Sequence, residues 1–123
     1  MDVPEIRYET ADFSDILKRD ARFDSRAYDF MLRVVTEASE SAKGHITGRE
    51  LLDFFRDLAL DAYGPLAYTV LTEWGVTCCE DVGSIVFNLV NSRRLGKTEQ
   101  DSPADFLGGF DFKEEFLGPF RAP

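Results

Sequence analysis

The chain reads as a mainly α-helical domain, and three features of its 123 residues predict that class. Apolar residues recur at spacings of three and four in one segment after another. Two Thr-x-x-Glu boxes mark helix starts, and glycines fall where the apolar stripes end. About five helices are expected in one compact domain spanning 1–123, with a helical core at 12–96 and an aromatic tail at 97–123 packed back on it. The tail completes the fold in one of two ways: a short C-terminal hairpin that makes it winged-helix-like, or an irregular Phe-rich strap across a plain helical bundle. A chain of this length buries roughly two thirds of its unfolded surface. With 44% apolar residues and eleven Phe, it is too apolar to stay disordered.

Each element has its own signal. Residues 1–11 show no period. Asp12 caps a short helix with Phe13, Ile16 and Leu17 on its apolar face and Lys18 and Arg19 at its C-terminal end. A second helix is predicted over about 25–41, with Ser25 as N-cap, Ala27, Tyr28, Met31, Val34, Val35 and Ala38 on one side, and Lys43-Gly44 as its end. Thr47-Gly48-Arg49-Glu50 forms a capping box for a third helix with the stripe Leu51, Phe54, Phe55, Leu58 and Ala62. Gly64-Pro65 stops that helix and starts a fourth over about 65–74, carrying Leu66, Ala67, Val70, Leu71 and Trp74 and closed by Gly75. Thr77-Cys78-Cys79-Glu80 opens a fifth over about 78–94, with Val82, Ile85, Val86, Leu89 and Val90 inward and Arg93 and Arg94 at its end. Gly83 costs that helix about 1 kcal/mol relative to Ala, which points to close packing there.

After Gly96 the texture changes. Five of the eleven Phe fall in this stretch: Phe106, Phe110, Phe112, Phe116 and Phe120. Ser102-Pro103-Ala104-Asp105 reads as a capped single turn, Gly108-Gly109 as a break, and Asp111 as the cap of a last turn that Gly118-Pro119 ends. A buried Phe contributes about 1.5–3 kcal/mol, so these rings are expected to pack on the helices.

The formal net charge of −9 sets the partner classes. Affinity for nucleic acid and anionic lipid comes largely from Lys and Arg neutralising phosphates, so no nucleic acid and no membrane partner is expected. No run approaches the ~20 apolar residues of a membrane span. Residues 1–8 carry Asp2, Glu5 and Arg7 and do not read as a signal peptide. Cys78 and Cys79 are neighbours, which disulfide geometry disfavours, so the chain is read as cytoplasmic.

The chemistry-bearing residues are few. Leu66 to Leu95 has a helix–turn–helix rhythm, but Glu80 and Asp81 would face the DNA backbone at the start of its second helix. His45 is the single histidine and stands in a loop without a catalytic companion. Cys78 and Cys79 lie in a first helical turn, where the helix N-terminus lowers a thiol pKa and the nearby carboxylates oppose it. Glu50, Asp53, Asp57 and Asp61 share one helix face, as a solvated face does. No phosphate-cradling, nucleophile-elbow or metal-ligand spacing is present, and no cofactor is expected.

Residues 14–120 resemble an uncharacterised family of small bacterial proteins. The resemblance rests on His45-Ile46-Thr47-Gly48-Arg49-Glu50-Leu51-Leu52, Tyr63-Gly64-Pro65-Leu66-Ala67, Val70-Leu71-Thr72-Glu73-Trp74-Gly75 and Val86-Phe87-Asn88-Leu89-Val90. It continues through Lys97-Thr98-Glu99-Gln100-Asp101-Ser102 and Asp105-Phe106, with Cys78-Cys79 as a local departure. It implies a single domain and carries over no functional residue.

The function expected on these grounds is a non-catalytic protein-interaction or regulatory module, its partner another protein or a second copy. The candidate contacts are the aromatics Tyr68, Trp74 and Phe110, taken as exposed, with Asp53 and Asp57 on the acidic face. A winged-helix nucleic-acid binder is the alternative that charge disfavours. A small enzyme or metal-binding protein using His45 and nearby carboxylates is the third.

Overall fold

The computed structural model describes residues 12–42, 46–96 and 103–121. Their elements are α1 (Ser14–Arg19), α2 (Ser25–Ala42), α3 (Gly48–Tyr63), a 3-10 turn (Gly64–Leu66), α4 (Ala67–Glu73) and α5 (Cys79–Asn91). The tail adds a 3-10 turn (Pro103–Phe106), α6 (Phe112–Leu117) and a last 3-10 turn (Gly118–Phe120). The mainly α expectation holds, and the five core helices stand where their stripes placed them. Among the described residues there is no strand, so the tail is a helical strap and the winged-helix hairpin is absent there. No helix among the described residues is long and apolar enough to cross a membrane.

The helix ends show which side chains win. At α3 the capping box is complete: Thr47 Oγ1 accepts from the Glu50 amide at 3.1 Å, and Glu50 Oε1 accepts from the Thr47 amide at 2.9 Å. At α2 the cap is Asp24 rather than Ser25, because the longer carboxylate reaches the Arg26 amide at 2.9 Å. Phe13 holds the cap position of α1 with no side-chain bond, and Asp12 accepts from the Ser14 amide just ahead of it. At α5 the second box closes differently from expectation. Cys78 is the cap residue, and the Thr77 amide and hydroxyl both donate to Asp81 Oδ2, one residue beyond Glu80.

Two helices end in the same six-residue motif with different residues at its centre. After α4 the Val76 amide donates to Leu71 O and the Gly75 amide to Thr72 O, with Gly75 at φ 89°. After α5 the Arg94 amide donates to Leu89 O and the Arg93 amide to Val90 O, with Arg93 at φ 68°. That motif ends α5 at Asn91, short of the expected 94. At Gly75 a Cβ would also lie 2.3 Å from Arg22 O, so only glycine fits.

One hydrophobic cluster joins all of this. Tyr28, Met31 and Val34 of α2, Leu52, Phe55 and Ala59 of α3, Leu71 of α4 and Ile85 and Leu89 of α5 are almost wholly buried in it. Phe30, off the expected α2 stripe, is buried too and touches Phe55, Tyr63 and Trp74 with ring centroids 5.5–6.0 Å apart. Four stripe positions face differently from expectation. Ala62 and Leu66 are exposed, and Phe54 and Leu58 are only half-buried. Leu52 and Ala59 turn inward in their place, because α3 presents its Leu52–Phe55–Ala59 side to the cluster.

The tail belongs to the same cluster: Phe106, Phe112 and Phe116 are buried in it. Phe106 sits in a slot between α3 and α5 made by two glycines. A Cβ on Gly83 would lie 2.9 Å from Phe106 Cβ, and one on Gly48 would lie 3.3 Å from its ring. The close packing that Gly83 implied is therefore real, and its partner is a tail ring. Polar bonds fasten the same strap. Arg49 donates to Leu107 O and Gly108 O, Glu80 accepts from the Gly108 amide, and Arg56 pairs with Glu115 at 3.3 Å.

Candidate functional site

The outward sides of α2 and α3 form a groove of about 210 Å³ lined by Glu37, Phe54, Asp57, Leu58 and Asp61. Its origin is the amphipathic pattern of α3. Phe54 and Leu58, four residues apart, share one side of the helix, and Asp57 and Asp61 flank them one turn apart. Since the helix buries Phe55 and Ala59, Phe54 and Leu58 are left half-covered at its margin. Glu37 reaches the groove from α2. The result is an apolar floor under three exposed carboxylates.

Arg56 closes one end of this acidic face. Its Nη1 lies 3.5 Å from Asp53 and 3.3 Å from Glu115, its Nε donates to Asp57 at 3.0 Å, and its guanidinium stands 6.0 Å from the Phe110 ring. Three of the five sequence-derived candidates, Asp53, Asp57 and Phe110, thus meet at one cation. Glu37 pairs with Arg33 at 3.2 Å, whereas Asp61 forms no ion pair among the described residues.

The other two candidates lie elsewhere. Trp74 is buried, only 6% exposed, wedged against Phe30 and Tyr63, and cannot be an exposed contact. The neighbouring rings of Phe30 and Tyr63, distant in sequence, close over it. Tyr68 is half-buried against the core, and so is Phe110, stacked on Phe112. The exposed apolar side chains that sequence reasoning missed are Leu66, Leu107 and Phe120. Each follows or sits in a tight turn, where no periodicity reports which way a side chain faces.

Of the two cysteines, Cys79 serves the packing of the tail. Cys79 is buried, donates to Phe110 O at 3.5 Å and accepts from the Phe110 amide at 3.3 Å, so its thiol pins the tail. Burial pushes both thiols above their ordinary pKa, the reverse of the activation a helix N-terminus could have given. Glu80 is held below the ordinary carboxylate range by its own amide and that of Gly108. His45 lies outside the described residues, and so do Lys43-Gly44 and Ser102. Among the described residues no three His, Cys, Asp or Glu side chains converge as metal ligands would.

A second concavity runs along α5, with lobes of about 320 and 310 Å³ that share Arg22 and Asn88. The polar groups where the lobes meet bond one another. Arg22 makes a bidentate pair with Asp20 at 2.8 and 2.9 Å, and Asn88 Nδ2 donates to Asp20 and to the hydroxyl of buried Tyr28. The Arg22 guanidinium first, then Asn88, holds the Asp20 carboxyl far below its usual range against the opposing effect of burial. This cluster fastens the α1–α2 turn to α5.

No family model, no curated protein and no solved structure matches this chain.

Proposed function

We propose that the protein is a non-catalytic interaction module, and that the groove between α2 and α3 receives an apolar side chain flanked by cationic residues of a protein partner. The observation that carries this reading is the Phe54–Leu58 floor beneath Glu37, Asp57 and Asp61. An apolar ring seated there is removed from water, while a neighbouring cation meets a cluster of carboxylates over a low-dielectric surface. The excess negative charge of the whole chain steers a basic partner toward it.

The experiment compares the parent with the Asp57→Asn/Asp61→Lys variant. Each is cross-linked in lysate of the source cell and the attachment sites are mapped by mass spectrometry. Both positions are exposed, so the variant keeps its fold. The expected outcome is a partner linked beside the groove in the parent and absent from the variant. An unchanged set of partners, or links confined to the opposite side, would contradict the reading.

A further inference from the structure

We propose that the segment seated in this groove is the Phe120–Arg121 tip of a second copy of the chain, the two copies pairing reciprocally about a two-fold axis. The proposal rests on the groove being the binding face, as argued above, and names its occupant. The groove calls for an exposed ring with a cation beside it, and the chain presents that pair itself. Of the three large apolar side chains that stand out from the described surface, Phe120 is the aromatic one, 46% exposed, and Arg121 follows it directly. Aromatic and Arg side chains together are the commonest anchors of protein interfaces.

Placement supports reciprocity. Arg56 ties Asp57, on the groove's rim, to Glu115 of α6, and α6 runs without a break into the Gly118–Phe120 turn. The helix that carries the tip is therefore tied to the groove's rim. That allows an isologous interface in which each tip enters the other copy's groove and the assembly closes at two. The tip does not fill its own groove, since Phe120 is absent from the lining and exposed. Among the described residues the Arg121 guanidinium pairs with Glu114 at 3.1 Å, with both side chains more than half exposed, a pair weak enough to exchange for Asp57 and Asp61 of the other copy.

Sedimentation velocity of the full chain, from low-micromolar to near-millimolar concentration, tests this. The parent is expected to show a monomer–dimer equilibrium. Phe120→Ala, Arg121→Glu and Asp61→Lys should each weaken it by about tenfold or more. Combining Arg121→Glu with Asp61→Lys should restore most of the loss, because the charges are exchanged across the interface. Melting curves confirm that each variant folds. A parent that stays monomeric throughout, or a dimer indifferent to Phe120→Ala and Asp61→Lys, overturns the proposal. A monomeric parent that still links a different protein beside Asp57 would refute self-pairing alone, while loss of that link as well would refute the groove reading.

Discussion

Two buried aromatic sites, Phe30 in the helical core and Phe106 in the tail, are held by different means. Around Phe30, rings from α2, α3 and α4 meet one another: Phe55 edge-on at 5.5 Å, Trp74 at 5.7 Å and Tyr63 at 6.0 Å. In the tail, Phe106 meets one ring, Phe87, edge-on at 6.2 Å, and otherwise enters a slot that exists because Gly48 and Gly83 lack side chains. A ring-on-ring cluster adjusts to a lost or altered member by shifting its neighbours. A ring in a backbone slot has no such freedom, since helices α3 and α5 would have to move apart. Close packing is thus forgiving at Phe30 and exacting at Phe106.

The largest effects should be alike on both sides. Trp74→Ala and Phe116→Ala each empty a buried aromatic site and should cost about 3–5 kcal/mol in urea unfolding. Equal losses would show that the tail contributes to the core as fully as the helices do. A loss under about 1 kcal/mol for Phe116→Ala would make the tail an accessory.

Gly83→Ala separates the regions. In an ordinary helix interior this change gains about 1 kcal/mol. Here the new methyl would meet Phe106 at 2.9 Å, so a net loss of about 1–3 kcal/mol is expected by thermal melting. Phe30→Leu, a comparable perturbation in the ring cluster, should cost less than a Phe30→Ala truncation because the surrounding rings close in. A neutral or stabilising Gly83→Ala would remove the distinction.

The helical side also carries a titrating fastener. Because the Asp20 carboxyl is depressed in the folded state, its contribution is complete above the unfolded value near 3.9 and fades as pH falls toward the folded one. Asp20→Asn should therefore destabilise near neutrality, and the gap between variant and parent should narrow below about pH 4. A gap constant with pH would mean that Arg22 and Asn88 do not favour the charged form. The smallest expected effect is a gain. Arg93 holds a left-handed conformation that Gly75 holds freely in the matching motif, so Arg93→Gly should stabilise by about 0.4–1 kcal/mol.

How much of this was legible in sequence follows the range of the interaction. The Thr47–Glu50 box, Gly64-Pro65, Gly75 and the Asp111 cap of α6 are local bonds, and each was read where it lies. The misses at Ser25 and Glu80 are local too, and turn on reach: Asp24 and Asp81 present carboxylates at neighbouring positions that fit better. Trp74 was misplaced because its cover comes from α2 and the end of α3. The slot for Phe106 was half visible, in that Gly83 announced a close approach without naming its partner. Of the site, the acidic face was legible in the spacing of Asp53, Asp57 and Asp61. Its apolar floor was not, because Phe54 and Leu58 looked like core until the rotation of α3 was fixed by what packs on it.

Native-state hydrogen exchange at the Glu115 amide, bonded to Asp111 O at 2.9 Å, tests most directly whether the tail is built into the core. The expected result is protection approaching that of the α5 amides, since α6 opens only when the shared cluster opens. Exchange near the rate of an unstructured peptide, with α5 still protected, would contradict it.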